Sequence, residues 1–225
     1  MNDLERMKTF YETRSRQGWS VYECYPFFLA CKQKWILTKI LKHIETPAKK
    51  LLDIGAGEGD FLLTMIRFGF SPSNITAVEY LSDRIERLHV KLPQIESHCN
   101  DYLKLTFPSE FDIITLMAVL TSIVDNDVRY SIVSKALEEL KEGGILIIYD
   151  FFNDKEPFLH PDYRAASLKK IKEIAIGCSM TVHKKVYLKS KYAKGLCKIG
   201  LPALIPLFEA LKLFNDNYHF IVIRK

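Results

Sequence analysis

The sequence lacks the features of a secreted or membrane-spanning chain. Its five cysteines are odd in number and scattered, with no C-x-x-C pair, which argues against a disulfide framework and against a zinc site. The N-terminus has no basic-then-apolar signal layout, and no uncharged apolar run approaches the ~20 residues that span a bilayer. We therefore expect reduced thiols in a cytoplasmic protein.

Strong charge of one sign is also absent. The formal net charge is +5, and much of the excess lies late in the chain, at Lys184, Lys185, Lys189, Lys191, Lys194 and Lys198. A solvated face is the ordinary interpretation of such a run. Attraction to an anionic substrate, a membrane surface or nucleic acid is the alternative.

What the sequence does contain is an alternation of short β-rich runs and longer helical patterns, which is typical of a parallel sheet flanked by helices. At 225 residues, 48% of them hydrophobic, one large α/β domain is expected. Seven strands are predicted, over residues 50–54, 75–79, 95–99, 111–117, 145–149, 180–188 and 218–224. The last two suggest an edge hairpin with an enlarged connection.

Helical patterns fill the intervals and both flanks of this sheet. Between strands, helices are predicted over 61–66, 82–92, 125–143 and 167–176, and a long apolar helical stretch over 192–214. Helical spacing over 4–16 and 26–44 predicts an N-terminal cap. The predicted organisation is a single domain, 1–225, with a helical cap (1–46), a core (47–189), a helical insertion (190–217) and a last strand (218–225).

The most informative segment runs from Asp53 to Gly59, where glycines alternate after a strand and before a helix. Glycine permits the positive φ angles of a tight turn and removes the Cβ that would block an adenosyl group over the loop. Nicotinamide enzymes use a related G-x-G-x-x-G turn, but here Asp60 occupies the position of the third glycine. A nicotinamide-dependent oxidoreductase is therefore the less favoured alternative.

Acidic residues follow the second and third strands. Glu79 ends the second strand about twenty residues after the loop, where α/β nucleotide folds accept hydrogen bonds from ribose hydroxyls. After the third strand, Asp101 can accept a hydrogen bond from an adenine amino group, and Tyr102 can lie near the ring. The alternative for Asp101 is an ordinary turn residue that closes a strand.

This combination resembles the class I S-adenosylmethionine (SAM)-dependent methyltransferases, whose first motif has the form D-x-G-x-G-x-G. The resemblance covers roughly residues 47–189 and the terminal strand. It implies SAM as the cofactor and an α/β fold: a Rossmann-like, seven-stranded, mostly parallel sheet with an antiparallel last strand. The cofactor-binding residues that it implies are Asp53, Gly55, Ala56, Gly57, Gly59, Glu79, Tyr80, Asp101, Tyr102 and Met117.

A narrower resemblance is to a bacterial group of methyltransferases found with surface-polysaccharide genes. It rests on residues 121–125, 148–151, 170–174 and 217–225. The chain departs from the group at Asn153-Asp154, where Asn-Pro is usual, and at Asn217-Tyr218-His219, where Thr precedes a His-Tyr. The resemblance implies a small-molecule or lipid-linked glycan acceptor, and the departures leave the acceptor's identity open.

Methyl transfer from a sulfonium is an in-line displacement that needs alignment of the acceptor atom and no protein nucleophile. An oxygen acceptor gains from a general base, for which the candidates are Asp150, His160 and His219. Each also has an ordinary structural interpretation: Asp150 can cap a turn with Asn153, His160 can be simply exposed, and His219 can be a packed or edge residue of the last strand. Because no base is unambiguous, a non-catalytic SAM-binding or partner-binding module is the second hypothesis.

Two further site types are not expected. Paired acidic ligands for a metal ion are not evident in the sequence. Nucleobase N-methyltransferases of this superfamily usually carry an Asn/Asp-Pro-Pro-aromatic segment after strand four, and this chain has Thr115-Leu116-Met117-Ala118 there. We therefore predict no metal and no nucleic-acid partner.

The insertion over 190–217 is predicted to form a lid beside the acceptor pocket. Its segment 199–208 is too apolar for a solvated loop and too short and proline-broken to span a bilayer. The lysines that flank it suit peripheral contact with a membrane or a phosphate-bearing acceptor. The alternatives are packing on the N-terminal cap and a homodimer interface.

Overall fold

The computed structural model describes residues 5–10, 33–34, 36–42, 44, 46–184, 187–211, 213–216 and 218–225. Its strands are β1 Leu51–Ile54, β2 Ile75–Glu79, β3 Glu96–Cys99, β4 Phe111–Met117, β5 Leu140–Phe151, β6 Phe158–His160, β7 Tyr163–Arg164, β8 Ser179–Lys184, β9 Tyr187–Leu188, β10 Asn215–Asp216 and β11 Tyr218–Arg224. Its helices are α1 Asp60–Arg67, α2 Ser82–Lys91, α3 Asn126–Glu139, α4 Leu168–Ile174, α5 Ser190–Lys198 and α6 Ile205–Ala210. Residues 5–10 and 36–41 are also helical.

One seven-stranded sheet carries the fold, in the order β3-β2-β1-β4-β5-β11-β8. The first five of these strands pair in parallel, and β11 is antiparallel to both β5 and β8. The predicted mostly parallel sheet with an antiparallel last strand and an edge hairpin is therefore confirmed. The strand order reverses between β1 and β4, and α/β sheets bind their ligands beside such a reversal, at the carboxyl ends of the strands.

Apolar clusters cover both faces of this sheet. The central strands contribute to both: Leu146 and Ile148 of β5 face α3 and α4, and Ile145 and Ile147 face the opposite cluster beside α1 and α2. A strand that is buried on both faces needs apolar residues at successive positions, which is why the sequence of β5 is continuously hydrophobic. These clusters fix the sheet edge on which the site is built.

The boundary between α3 and β5 differs from the prediction. The helix ends at Glu139, not at Gly143-Gly144, and β5 begins at Leu140. Leu140 already has extended backbone angles and pairs with Phe111 of β4. The glycines therefore lie within an irregular start of β5, because pairing with β4 replaces the last helical turn that their C-cap signal had indicated.

The late part of the chain is more divided than predicted. The strand expected over 180–188 separates into β8, which joins the main sheet, and β9, which pairs with β10 in a two-stranded sheet. The helix expected over 192–214 separates into α5 and α6, because Gly200 adopts a positive φ and Pro202 starts a new 3-10 turn. A short hairpin, β6–β7, also stands where only a loop was expected.

The N-terminal part matches the prediction only in outline. Half of the residues in the two predicted cap helices, 4–16 and 26–44, lie outside the described residues. Helical segments within both ranges are described, and Leu37 and Ile40 of the second are buried in the cluster beside α1 and α2.

A fully buried arginine holds together the loops at the carboxyl edge. Arg129 of α3 donates from Nε to the carbonyl of Ile123 at 2.8 Å and from Nη1 to the carbonyl of Ala165 at 2.8 Å. Its Nη2 donates to the carbonyl of Arg164 at 3.2 Å, and Nη1 lies 3.5 Å from Glu156. Sequence reasoning did not single out this residue, because nothing in a local helical pattern distinguishes a buried arginine from an exposed one.

We expect Arg129→Met to lower the free energy of unfolding by about 3–5 kcal/mol, because three carbonyls and the Glu156 carboxylate lose their partner. Urea denaturation measures the change. Arg87→Met is the matched control, since half-exposed Arg87 forms surface ion pairs with Asp83 and Glu58 and an exposed hydrogen bond to the carbonyl of Asp83, and we expect a loss below about 1 kcal/mol. Equal losses for the two variants would contradict the prediction.

Candidate functional site

A pocket opens at the carboxyl ends of β1, β2 and β4, beside the reversal of strand order. Among the residues proposed from the sequence, Gly55, Glu79, Tyr80, Asp101 and Tyr102 line it. Lining residues that were not proposed are Met7, Ile54, Val78, Leu81, Arg84, Asn100, Ala118, Val119, Ser122, Ile123 and Ile132. The fold thus brings the loop after β1 and both proposed acids to one place.

The loop after β1 is fixed to the neighbouring strand. The amides of Gly55 and Ala56 both donate to the carbonyl of Val78, at 2.8 and 3.1 Å. Gly55 has a φ of +73°, and a Cβ at this position would lie 2.6 Å from Cγ2 of Val119. A larger residue at this position would therefore require Val119, in the segment after β4, to shift.

The second loop glycine faces open space. Gly57 has a φ of +56°, and a Cβ built on it meets no atom within 4 Å. Its amide donates to Oε2 of Glu79 at 2.8 Å. The backbone at Gly57 therefore leaves room for a ligand to approach it closely, which is the property that the sequence pattern predicted.

Glu79 is buried at the end of β2, and both of its carboxylate oxygens accept backbone hydrogen bonds. Oε2 accepts from Gly57 and Oε1 accepts from the amide of Leu81 at 3.0 Å. A carboxylate oxygen has two acceptor positions, and among the described residues each oxygen of Glu79 accepts one hydrogen bond, which leaves one position for a further donor. The arrangement fits a ligand that presents two adjacent hydroxyls.

Asp101 and Tyr102 differ in what they leave available. Oδ1 of Asp101 accepts from the amide of Leu103 at 3.0 Å, as a turn residue does, and Oδ2 accepts no hydrogen bond from the described residues. The hydroxyl of buried Tyr102 donates to Oε2 of Glu139 at 2.5 Å. Burial, followed by this glutamate, raises the pKa of Tyr102. Asp101 thus keeps an acceptor at the pocket, whereas the polar end of Tyr102 is engaged by α3.

The other proposed cofactor residues do not line the pocket. Ala56, Gly57 and Gly59 belong to the glycine loop that connects β1 to α1, and Met117 packs with the cluster beside α1 and α2. The pocket wall after β4 is instead made by Ala118, which has a φ of 60°, and by Val119. A non-glycine residue with positive φ carries no local sequence signal, so the backbone angle at Ala118 could not be predicted.

Asp53 is buried in β1 behind the loop. Its Oδ1 accepts from the hydroxyl of Thr115 at 2.6 Å. Burial raises the pKa of Asp53 to about 7, against the opposing effect of the Thr115 hydrogen bond and with a smaller contribution from the charge of Glu79. Asp53 therefore links β1 and β4 through Thr115 and is not among the residues that line the pocket.

Asp150, the first candidate base, is fully buried and does not line the pocket. Its Oδ1 accepts from the hydroxyl of Thr121 at 2.7 Å and from the amide of Phe151 at 2.9 Å, and Oδ2 accepts from the amide of Thr121 at 3.3 Å. Burial raises its pKa, which these hydrogen bonds oppose. Asp150 holds the turn 120–122 through Thr121. The alternative interpretation from the sequence had named Asn153 as its partner.

The two candidate histidines lie on different elements. His219 pairs in register with Asp150 at the start of β11, and its ring lies 5.9 Å from that of Phe152 in an edge-on arrangement. His160 is exposed on β6, where its Nδ1 accepts from the amide of Asp162 at 3.3 Å. Neither histidine lines the described pocket, and their catalytic roles stay predictions.

The helical segment 5–10 closes one side of the pocket. Met7 lines the pocket, and Arg6 bridges two loops: Nη2 donates to the carbonyl of Ser122 at 2.8 Å and Nη1 to Oδ1 of Asp162 at 2.8 Å. The ring of Phe10 lies edge-on to Tyr163 at 5.1 Å. The N-terminal segment is therefore part of the site, as well as a cover for the sheet.

Metal ligands are not assembled in the part of the chain that the structure describes, where no group of three or more His, Cys, Asp or Glu side chains is placed to hold an ion. The expectation of a reaction without a metal ion stays a prediction.

Comparison with known proteins relates this site to a domain family. Residues 51–144 match the model of a methyltransferase domain. No protein of curated function matches the chain in sequence.

Solved structures share the fold. A SAM-dependent methyltransferase from Archaeoglobus fulgidus is 15% identical, with a TM-score of 0.60 over 88% of this chain and 99% of its own. Phosphoethanolamine N-methyltransferase 2 of Haemonchus contortus, solved with phosphomonomethylethanolamine and S-adenosylhomocysteine, is 18% identical, with a TM-score of 0.63 over 86% of this chain and 52% of its own. The [4+2]-cyclase SpnF is 18% identical, with a TM-score of 0.59 over 86% of this chain and 80% of its own. At these identities the likenesses establish the fold alone.

We expect Glu79→Ala to weaken binding of S-adenosylhomocysteine by about 1–3 kcal/mol, because charge-assisted hydrogen bonds to the ligand and to Gly57 are lost. Calorimetric titration measures the change, with thermal unfolding as a check on the fold. Glu96→Ala on β3 is the matched control, since Glu96 is an exposed strand acid outside the pocket. Tight binding of NADH without binding of S-adenosylhomocysteine would contradict the assignment of the pocket.

The raised pKa of Asp53 predicts a pH-dependent stability. Between pH 4 and about pH 7 the unfolded chain loses this proton while the folded chain keeps it, so ionisation stabilises the unfolded state and stability falls as pH rises. Asp53→Asn removes this contribution, and we expect the variant to gain about 2–4 kcal/mol on the wild type between pH 4 and pH 8. Urea denaturation across this range tests it, with exposed Asp60→Asn as the control. A pH-independent difference would contradict the prediction.

Proposed function

We propose that this chain is a SAM-dependent methyltransferase that transfers the methyl group to an oxygen of a small-molecule or glycan-type acceptor by in-line displacement. The match of residues 51–144 to a methyltransferase domain supports this class and SAM as the cofactor. The observation that carries the cofactor assignment is the convergence of the glycine loop, Glu79 and Asp101 on one pocket at the carboxyl edge.

The described residues fit this cofactor. In the proposal, the two remaining acceptor positions of Glu79 take the ribose hydroxyls, and Oδ2 of Asp101 takes the adenine amino group. The open backbone at Gly57 and the wall at Ala118 and Val119 contact the remainder of the molecule. SAM supplies an electrophilic methyl group when bound, and the protein's contribution is to align an acceptor atom with it and to exclude competing water.

The acceptor is proposed to bind between β4, β5 and the insertion over 190–217. Strands β8 and β11 flank this insertion, and β11 begins opposite Phe151 and Asp150, at the carboxyl end of β5. The insertion therefore leaves the sheet at the edge that carries the cofactor pocket. This supports a lid beside the acceptor, and a lipid-linked precursor of a surface polysaccharide is the proposed substrate class.

Proton removal from an alcohol acceptor is assigned to a histidine. His219 and His160 are the proposed bases, whereas Asp150 is proposed to act as a positioning residue, because its carboxylate is occupied by Thr121 and Phe151. Asp150 then affects turnover through the turn 120–122, whose end at Ser122 lines the pocket.

A second candidate is a non-catalytic SAM-binding or partner-binding module. The [4+2]-cyclase SpnF has this fold, so the fold alone does not specify methyl transfer. The matched methyltransferase domain favours catalysis over this alternative.

Release of S-adenosylhomocysteine from SAM tests the proposal. The protein is incubated with separate pools of sugars, lipid-linked cell-envelope precursors and small acids, and we expect release with a hydroxyl-bearing pool. Once an acceptor is found, loss of the base should lower kcat by about 10²–10⁴-fold, so His160→Ala and His219→Ala are compared with Asp150→Asn. Binding of S-adenosylhomocysteine with no turnover in any pool would favour the non-catalytic module.

A further inference from the structure

Residues 187–216 form a small lobe, which we call the insertion lobe. Its stem is the β9–β10 pair, with Leu188 opposite Asn215. Helices α5 and α6 fold back on this stem around three buried side chains, Leu188, Ala193 and Ile205. Such a core is small for a segment of this length and leaves most of its apolar side chains outside.

The outside of the insertion lobe is unusually hydrophobic. Seven of the twelve large hydrophobic side chains that are exposed among the described residues belong to it: Tyr192, Ile199, Leu201, Leu207, Leu211, Leu213 and Phe214. Ile199 is 65% exposed, Leu211 59% and Leu207 53%. Soluble monomers rarely expose apolar side chains at this density, so the surface indicates an interaction.

The charges around this surface are predominantly positive. Lys189, Lys191 and Lys198 are exposed and Lys194 is partly exposed, all on or next to α5. Over residues 189–211 the only acidic residue is Glu209, and its Oε1 accepts from the amide of Leu188 at 3.2 Å. A basic rim around an apolar surface is complementary to anionic lipid, whose headgroups pair with lysine and whose acyl region takes apolar side chains.

We propose that the insertion lobe docks on the surface of an anionic membrane. The contact is peripheral, since no helix among the described residues is long and apolar enough to cross a bilayer. The inference goes beyond the proposed function and stands without it, because lipid binding needs neither SAM nor an acceptor. Its consequence is geometric: the lobe leaves the carboxyl edge of the sheet, so docking holds that edge near the lipid.

Vesicle flotation of the full chain tests the proposal. We expect binding to vesicles that contain phosphatidylglycerol, weaker binding to pure phosphatidylcholine, and loss of binding at about 1 M salt, where the Debye length is about 3 Å. Leu207→Glu with Leu211→Glu should weaken binding roughly tenfold or more, because two inserted apolar side chains become charged. Lys191→Glu with Lys198→Glu should have a similar effect through charge.

Val90→Glu with Ile176→Glu is the matched control, since these side chains are 84% and 83% exposed and lie outside the insertion lobe. We expect this control to float like the wild type. Circular dichroism and titration with S-adenosylhomocysteine confirm that every variant is folded, which also separates a failure of lipid binding from a failure of the cofactor assignment. The proposal is overturned by absence of flotation under all conditions, by equal loss in the control, or by a dimer that the lobe variants dissociate without any lipid binding.

Discussion

The site depends on the hydrogen bond between the Glu79 carboxylate and the amide of Gly57. It joins the end of β2 to the glycine loop after β1, and the carbonyl of Val78 fixes the same loop through Gly55 and Ala56. A loop that must leave its backbone open to a ligand has few side chains with which to pack. The shape of the loop is therefore set by the neighbouring strand. Glu79 has two roles: it holds the loop through Gly57, and its remaining acceptor positions are proposed to bind the ribose hydroxyls.

The opposite wall of the pocket, residues 118–123, is held by three side chains: Arg6 and Asp150 lie far from it in sequence, and Arg129 lies six residues after Ile123. Asp150 from β5 binds Thr121, Arg129 from α3 binds the carbonyl of Ile123, and Arg6 binds the carbonyl of Ser122. Each is ionisable and at least partly buried, and each binds polar groups of a turn whose Leu120 and Ile123 are themselves buried in the apolar cluster beside α3 and α4. The wall thus has polar anchors in addition to apolar packing.

This division explains what the sequence could predict. The strands, the glycine loop and Glu79 follow from local patterns, because alternation of β-rich and helical runs and the spacing of glycines are visible within short windows. The anchors at Arg6 and Arg129 are not visible there, since each depends on contacts more than thirty residues away, with Asp162 and Ala165 respectively. Asp150 was recognised by its position at a strand end. Its contact with Thr121 could not be, because it arises from the pairing of β4 with β5, which brings the segment after β4 next to the end of β5. The proposed site roles of these residues remain predictions.

The same reasoning applies to the insertion over 190–217. Its apolar sequence predicted a helical element that needs a cover, and the division at Gly200 and Pro202 limits how much it can bury internally. Among the lobe's described side chains, Leu188, Ala193 and Ile205 are the buried apolar core, so we expect its stability to depend also on its attachment to β8 and β11 and on any surface it contacts. Such a segment has a small core and many exposed apolar and basic side chains. Burying those apolar side chains at an interface lowers the free energy more than leaving them in water. The insertion lobe leaves the sheet beside the carboxyl end of β5. The proposed membrane contact and the proposed acceptor site therefore lie at the same edge of the sheet.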